Sequence, residues 1–319
     1  KDDDYHFNQL KHILRNQYFL PAGRVQNAMG ANRQTTAYNC FVSRKIGDSM
    51  DSIMESATEA AETMRRGGGI GYDFSNLRPR GDRIVSLDSK SSGPVSFMGI
   101  FDAVCQTIAS SGHRRGAQMG VLRIDHPDIE AFITAKNNSD KLTGFNISVG
   151  VTDEFMECLR DKRPFPLRFE GRVYKEVDPE KLWDMIMRST WDYAEPGVIF
   201  IDRVNEMNNL WYCEQIAATN PCGEQPLPAY GACLLGSFNL TKYVDPERKE
   251  FGYVAFIDDI HFVVRAMDNV IDRTIYPLPE QEQEAKDKRR MGLGVTGLAN
   301  AGEMLGLPYA SKEFFEWMS

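Results

Sequence analysis

Residues 37–74 read AYNCFVSRKIGDSMDSIMESATEAAETMRRGGGIGYDF, and they set out one strand–helix–strand unit. AYNCFVSRKI alternates loosely between apolar and polar residues and ends at Gly47, so it reads as a strand carrying Cys40. Asp48 or Ser49 then caps a helix over Met50 to Arg66, whose small or apolar residues Ile53, Ala57, Ala60 and Met64 share one face. RRGGGIGYDF closes the helix and turns into a second strand. The GGGIG run resembles a dinucleotide fingerprint only in composition, because that fingerprint lies between a strand and a following helix and here the order is reversed. Two readings remain for these glycines: a close backbone approach to a ligand such as a phosphate, or a structural tight turn.

The same alternation continues outward. The chain up to Tyr18 reads as a helix, and FLPAGRVQNAMGANRQTT after it as a loop. A polar loop, GDRIVSLDSKSSG, leads to Pro94 and a helix on which Phe97, Phe101, Val104 and Ile108 share a face. ASSGHRRGAQMG is a short link, followed by strands near Met119–Ile124 and Phe145–Val151 with the helix PDIEAFITAK between them. Further helices are expected at Asp153–Leu159, Pro179–Ala194 and Val254–Ile271, and RRMGLGVTGLANAGEMLG reads as strand, turn and helix. Strands alternating with helices predict an α/β fold built on a largely parallel sheet or barrel.

The 319 residues are enough for a large core, and a net charge of −8 argues against a general nucleic-acid-binding surface. No apolar run is long enough to cross a bilayer and the N-terminus is too charged for a signal peptide, so a cytoplasmic protein without membrane or nucleic-acid partners is expected. Six cysteines (Cys40, Cys105, Cys158, Cys213, Cys222, Cys233) are too sparse for a disulfide scaffold. With no CxxC and no histidine near any cysteine in sequence, no metal site is expected. The five scattered histidines give a Cys–His hydrolase little support. The arginines of HRRGA and LRPRGDR suit phosphate recognition, or else are solvated loop charges.

One stretch stands apart. NPCGEQPLPAYGAC, residues 220–233, cannot be helical, because Pro221, Pro226 and Pro228 lack backbone donors and bias the preceding residues to extended conformations. Cys222 is therefore expected in a rigid loop. Were Cys222 a core residue, flanking it with Asn220 and Glu224 would be costly, since buried amides and carboxylates need partners. If the loop is extended, residues two apart point the same way, so an amide, a thiol and a carboxylate address one small object.

This Asn-x-Cys-x-Glu run closely resembles the large catalytic subunit of ribonucleotide reductase, together with the downstream ACLLGSFNL and the upstream YNC followed by IGDSMDSI. NPCGEQPLP is most similar to the adenosylcobalamin-dependent branch, and FLPAGR, RGGGIG and RRMGLGVTGLANAG extend the resemblance from about Phe19 to the last residue. The resemblance implies a ten-stranded α/β barrel of two half-barrels with a finger loop through its centre. It divides the chain into an N-terminal helical segment, 1–18, and the N-terminal portion of the catalytic barrel, 19–319, with the later half-barrel missing.

It further implies radical-based reduction of ribonucleotides to 2'-deoxyribonucleotides. Cys222 would be the thiyl radical, Glu224 the acceptor of the 3'-hydroxyl proton and Asn220 a hydrogen-bonding partner of the substrate hydroxyls. Cys40 and Cys233 match the redox dithiol; Asn39 and backbone at Gly69 match substrate-positioning groups, although the family often has serine in place of Asn39. A deoxynucleoside triphosphate effector site is implied at Asp48, Ser49, Met50, Arg78 and the loop from Arg83, with Arg115 in the link that relays effector identity.

Adenosylcobalamin is the implied radical source; the alternative is no cofactor in this chain and a radical imported from a ferritin-like metal subunit. Implied partners are the ribonucleotide, a thioredoxin- or glutaredoxin-type reductant, a second copy in a homodimer, and a further chain bearing the rest of the barrel. Neither an activity-regulating N-terminal domain nor a C-terminal cysteine pair is recognisable, so the chain alone is not expected to turn over. A reading from another class is a non-catalytic deoxynucleotide-binding protein whose cysteines are packing.

Overall fold

A computed structural model describes residues 2–32, 34–84, 87–109, 116–137 and 141–319. The chain divides into two compact units: Lys1–Asn39, Cys233–Tyr276 and Gln283–Ser319 form one, and Cys40–Ala232 with Pro277–Glu282 form the other.

The second unit is built on five parallel strands in sequence order: β1 (Cys40–Val42), β2 (Gly69–Asp73), β3 (Gln118–Arg123), β4 (Phe145–Val151) and β5 (Gly197–Phe200). Register is continuous along the amino ends, with Cys40 opposite Gly69, Ile70 opposite Gln118, and Gln118 opposite Phe145. Parallel strands need crossovers, and two long helices supply the first ones: α1 (Met50–Arg65) and α2 (Pro94–Ala109). This is the largely parallel α/β sheet that the alternation of elements predicts, curled as the half-barrel that the resemblance implies.

The sequence signals that start these helices are the ones the structure uses. Ser49 is the N-cap of α1, its hydroxyl accepting from the Ser52 amide at 3.2 Å. Ile53, Ala57, Ala60 and Met64 are all buried against the sheet. Pro94 opens α2, where its missing N–H costs nothing. β3 and β4 are buried along almost their whole length, as expected of parallel strands covered on both faces. Tyr72, Phe74, Phe101 and Phe145 meet in edge-on and tilted pairs between sheet and α2, with ring centroids 4.8–6.1 Å apart. The one polar group among them is satisfied: the Tyr72 hydroxyl donates to Gln118 Oε1 at 2.8 Å, and Gln118 Nε2 donates to the Phe101 carbonyl at 3.2 Å.

In the first unit, Phe19–Pro21 runs antiparallel to the strand Ala232–Asn239, and Met291–Thr296 pairs with that same strand in parallel. Helices Asp2–Arg15 and Tyr253–Arg273 pack together beside them.

Several local expectations change. FLPAGRVQNA is not a plain loop but a three-residue strand and the helix Gly23–Ala28; the strand forms because Ala232–Asn239 supplies a partner distant in sequence. PDIEAFITAK shortens to Ile129–Ile133, ending at Thr134. The hairpin Phe165–Phe169/Arg172–Val177 and the helix Pro279–Lys288 were not legible, the first because its outer strand is largely exposed and unpatterned. Among the described residues, no helix is long and apolar enough to cross a membrane.

Candidate active site

The stretch from Asn220 to Cys233 leaves the sheet as a hairpin. Ala218–Thr219 pairs with Pro226–Leu227, Ala218 opposite Leu227 and Thr219 opposite Pro226. Between them the chain is not extended, as the proline pattern suggested, but folds into a tight tip. The Gly223 amide donates to the Asn220 carbonyl at 3.0 Å, with Gly223 in the left-handed region at φ +82°. Asn220 closes the turn from inside: its amide donates to the Gln225 carbonyl at 3.1 Å, and its side-chain Oδ1 accepts from the Gln225 amide at 2.9 Å. A side chain that satisfies the backbone of a turn competes well with extended structure, which is why the expectation fails here.

The glycines that precede Ile70 and Tyr72 carry this hairpin. A Cβ at Gly71 would lie 1.7 Å from the Thr219 carbonyl oxygen, and one at Gly69 would lie 2.7 Å from Pro221 Cγ. Both readings open for GGGIG hold: Gly67, at φ +95°, turns the chain at the end of α1, with its amide donating to the Met64 carbonyl at 2.9 Å, while Gly69 and Gly71 admit a close approach by the chain's own loop. From the next strands Asn146 Nδ2 donates to the Pro221 carbonyl at 2.8 Å. Sequence reasoning missed Asn146; a lone amide second in the apolar run FNISVGV was the available signal.

What the tip delivers is a convergence on Cys40. With Asn220 Oδ1 committed to Gln225, the amide nitrogen points at the other side and donates to Cys40 Sγ at 3.0 Å. The Cys40 thiol faces Glu224 Oε1 at 3.8 Å, a long contact of the kind sulfur makes. Asn220 is fully buried and Cys40 nearly so, whereas Cys222, Gly223 and Glu224 are exposed. The structure thus brings Asn220, Glu224 and Cys40 together, with Cys222 exposed on the same turn. None of the six cysteines is in a disulfide.

Other expected residues fall as follows. Asn39, next to Cys40, has a buried Oδ1 to which no group among the described residues donates. Gly69 lies under Pro221. Cys233 is buried at the start of the strand Ala232–Asn239, in the first unit.

At the amino end of α1, Asp48 accepts from the Arg78 backbone at 3.1 Å and from Arg78 Nε at 2.6 Å, while Arg78 Nη1 donates to the Arg83 carbonyl at 3.2 Å. Met50 is exposed there, and Arg83 pairs with Asp88 at 2.9 Å. Asp48, Arg78 and Arg83 are therefore one cluster, and Ser49 uses its hydroxyl as the helix cap. Arg115 lies outside the described residues. A cavity of about 860 Å³ lies elsewhere, lined by Arg80, Asp102, Gln106 and Asp128 between α2 and Ile129–Ile133, and contains none of the loop residues. Among the described residues no cluster of His, Cys, Asp or Glu is arranged to hold a metal ion.

Comparison with known proteins bears directly on this arrangement. A vitamin B12-dependent ribonucleoside-diphosphate reductase from Thermoplasma acidophilum is 38% identical over 316 residues, covering 98% of this chain and 41% of the relative. The enzyme of that name from Mycobacterium tuberculosis is 40% identical over 304 residues, 94% of this chain and 43% of the relative. The ribonucleoside-diphosphate reductase large subunit of Vaccinia virus is 26% identical over 334 residues, 94% of this chain and 43% of the relative. The chain thus spans about two fifths of the length of these relatives. The model of the ribonucleotide reductase barrel domain matches residues 38–319, from the residues just before Cys40 through both strands of the hairpin that carries Cys222, and the chain belongs to that family.

Proposed function

We propose that this chain is part of the catalytic subunit of a ribonucleotide reductase, and that the tip of its finger loop carries the chemistry. The observation that supports this most is the convergence of Asn220 and Glu224 on Cys40 Sγ, with Cys222 exposed on the same turn. The substrate is a ribonucleotide, and the names of the Thermoplasma and Mycobacterium relatives favour a nucleoside diphosphate.

The reaction follows from these groups. Cys222, as a thiyl radical, takes the hydrogen from C3' of the ribose while Glu224 accepts the proton of the 3'-hydroxyl. The 2'-hydroxyl leaves as water, and a dithiol becoming a disulfide supplies the two electrons and two protons needed to replace C–OH by C–H. The resemblance assigns that dithiol to Cys40 and Cys233. Cys222 then returns that hydrogen to C3', becoming the thiyl radical again, and the proton held by Glu224 goes back to the 3'-oxygen. Asn39 would hold a sugar hydroxyl, a role supported by a buried Oδ1 that accepts no bond among the described residues. A turn held by five backbone and side-chain bonds suits a reactive thiol, because small displacements of reacting groups are costly.

Adenosylcobalamin fits as the radical source. Cys222, Gly223 and Glu224 at the tip are exposed, and adenosylcobalamin, when bound, would supply the organic radical that takes the hydrogen of the Cys222 thiol. The higher identity to B12-dependent enzymes than to the viral large subunit favours it over an imported radical. The cluster of Asp48, Arg78 and Arg83 supports a deoxynucleoside triphosphate effector site at the amino end of α1. A dithiol reductant of the thioredoxin or glutaredoxin type, a homodimer and a cytoplasmic setting complete the reading.

The test uses the full-length protein with adenosylcobalamin and a dithiol. Cys222→Ser is expected to abolish deoxynucleotide formation while nucleotide binding persists; retained turnover sinks the reading. Wild-type turnover without cobalamin would overturn the choice of radical source alone.

A further inference from the structure

We propose that Tyr230 is a positioning residue for Cys222, acting through a clamp with Glu59 and Arg44 that ties the return arm of the finger loop to α1. This rests on the role proposed for Cys222, and adds what holds the loop from behind.

The return arm leaves Pro226–Leu227, turns at Pro228 and reaches the strand Ala232–Asn239. The turn is closed by the Gly231 amide donating to the Pro228 carbonyl at 2.9 Å, and the Gly231 carbonyl accepts from Val42 at 2.9 Å, at the end of β1. Tyr230 sits in this turn with φ +61°, a left-handed backbone that a bulky side chain adopts only when its surroundings hold it there.

What holds it is a single hydrogen bond into a charged cluster. The Tyr230 hydroxyl donates to Glu59 Oε1 at 3.3 Å. Arg44 Nη1 lies 3.4 Å from the same oxygen and also pairs with Glu55, one helical turn earlier. The Glu59 side chain is only 16% exposed, so this is a largely desolvated acceptor rather than a surface charge. Burial pushes the Glu59 carboxyl above its ordinary range, opposed by Arg44 and Tyr230, with Glu280 and Glu55 adding to the rise. Burial, with Glu59 beside it, pushes the Tyr230 phenol up to about 12, so it remains a donor throughout the neutral range.

The placement gives the clamp its meaning. Arg44 is four residues past Cys40, Glu59 is in the middle of the helix capped by Ser49, and Tyr230 is eight residues past Cys222 and three before Cys233. One carboxylate therefore joins the strand, the helix and the loop on which the candidate redox, effector and radical residues stand. A tyrosine used only for packing would be buried among apolar groups; this one is half-buried and its polar end is the part engaged.

The test is backbone hydrogen exchange of the full-length protein at Gly223 and Gln225, the two tip amides bonded to Asn220. Tyr230→Phe removes only the hydroxyl, Glu59→Leu removes the acceptor, and Glu59→Gln keeps an acceptor without the charge. Tyr230→Phe and Glu59→Leu are each expected to speed exchange about fivefold to tenfold. Glu59→Gln is expected to fall clearly closer to wild type, with melting temperatures alike across the three. In turnover, Tyr230→Phe should lower kcat by a similar factor and change the nucleotide KM less than twofold. Wild-type exchange in Tyr230→Phe, or equal damage from Glu59→Gln and Glu59→Leu, overturns the clamp. Should Tyr230→Phe fail to fold, the Glu59 pair reads the same contact from the other side. Because exchange needs no turnover, the clamp can stand if Cys222→Ser keeps activity, and can fall if it does not.

Discussion

Replacing Gly71 by alanine tests whether the sheet carries the hairpin that bears Cys222. The new Cβ would lie 1.7 Å from the Thr219 carbonyl oxygen and 2.9 Å from its carbonyl carbon. A comfortable carbon–oxygen approach is about 3.3 Å, so the two backbones must separate by roughly 1.6 Å. β2 cannot give way, since Gly71 is paired with Val42 on one side and Met119 on the other. The loop must move, and Thr219 is bonded directly to Asn220, whose amide reaches Cys40 Sγ at 3.0 Å. A shift of that size breaks the contact with Cys40. Misplacement by about 1 Å costs on the order of 100-fold in rate, so turnover of the full-length enzyme should fall by at least that factor. The cost in stability is an overpacking cost of about 1–3 kcal/mol, which lowers the melting temperature by only several degrees. Gly69→Ala should be milder, because what its Cβ meets, at 2.7 Å, is the edge of the Pro221 ring rather than a carbonyl. Steady-state turnover and a thermal melt, run on both variants, decide the matter. Wild-type turnover in Gly71→Ala, or a Gly69→Ala defect as large, would refute the reasoning.

Three further outcomes follow from the same geometry. Asn220→Asp keeps an acceptor for the Gln225 amide but puts an oxygen where the donor to Cys40 Sγ now is; losing a donor to the thiolate should slow iodoacetamide alkylation of Cys40 at neutral pH about tenfold, read by peptide mass spectrometry, and an unchanged rate counts against the contact. Arg78→Ala breaks the two bonds to Asp48 and the one to Arg83, so deoxynucleoside triphosphate affinity, measured by calorimetry, should drop at least tenfold while Cys40 alkylation stays unchanged; intact affinity would move the effector site elsewhere.

His126 is buried, with Nδ1 accepting from the Asp128 amide at 3.0 Å and Nε2 therefore donating to the Leu77 carbonyl at 2.9 Å. Burial lowers its pKa below 6.5 despite the nearby acidic groups. Since the folded value lies below the unfolded one, the neutral ring's contribution to stability is present above about pH 6.5 and is lost as pH falls through the folded value. A ring resonance that stays in its neutral state through pH 6.5 is the expected result in an NMR titration, and a midpoint at or above 6.5 contradicts it.

The glycine run shows how a correct local reading can still leave its purpose open. GGGIG was legible as a site of close backbone approach, because glycine is what such a site requires. Which group approaches was not legible, since Thr219 and Pro221 are nearly 150 residues away in the chain. The proline-rich stretch behaves in the opposite way. Its prolines excluded a helix correctly, but its tip is a turn rather than an extended run, because the Asn220 side chain and Gly223 settle the local geometry.

By itself the sequence determined the succession of elements: the βα alternation, the cap at Ser49, the helix opened by Pro94 and the buried runs of β3 and β4 all depend on patterns a few residues long. It also singled out Asn220, Cys222 and Glu224 as a unit of chemistry. Only the tertiary structure decided how they are used. It turned Asn220 inward onto Cys40, left Cys222 exposed, set the loop on Gly71, and tied Tyr230 to Glu59. Spacing along the chain specifies which way neighbours point, but contacts between residues 148 to 180 positions apart exist only once the strands have been brought side by side.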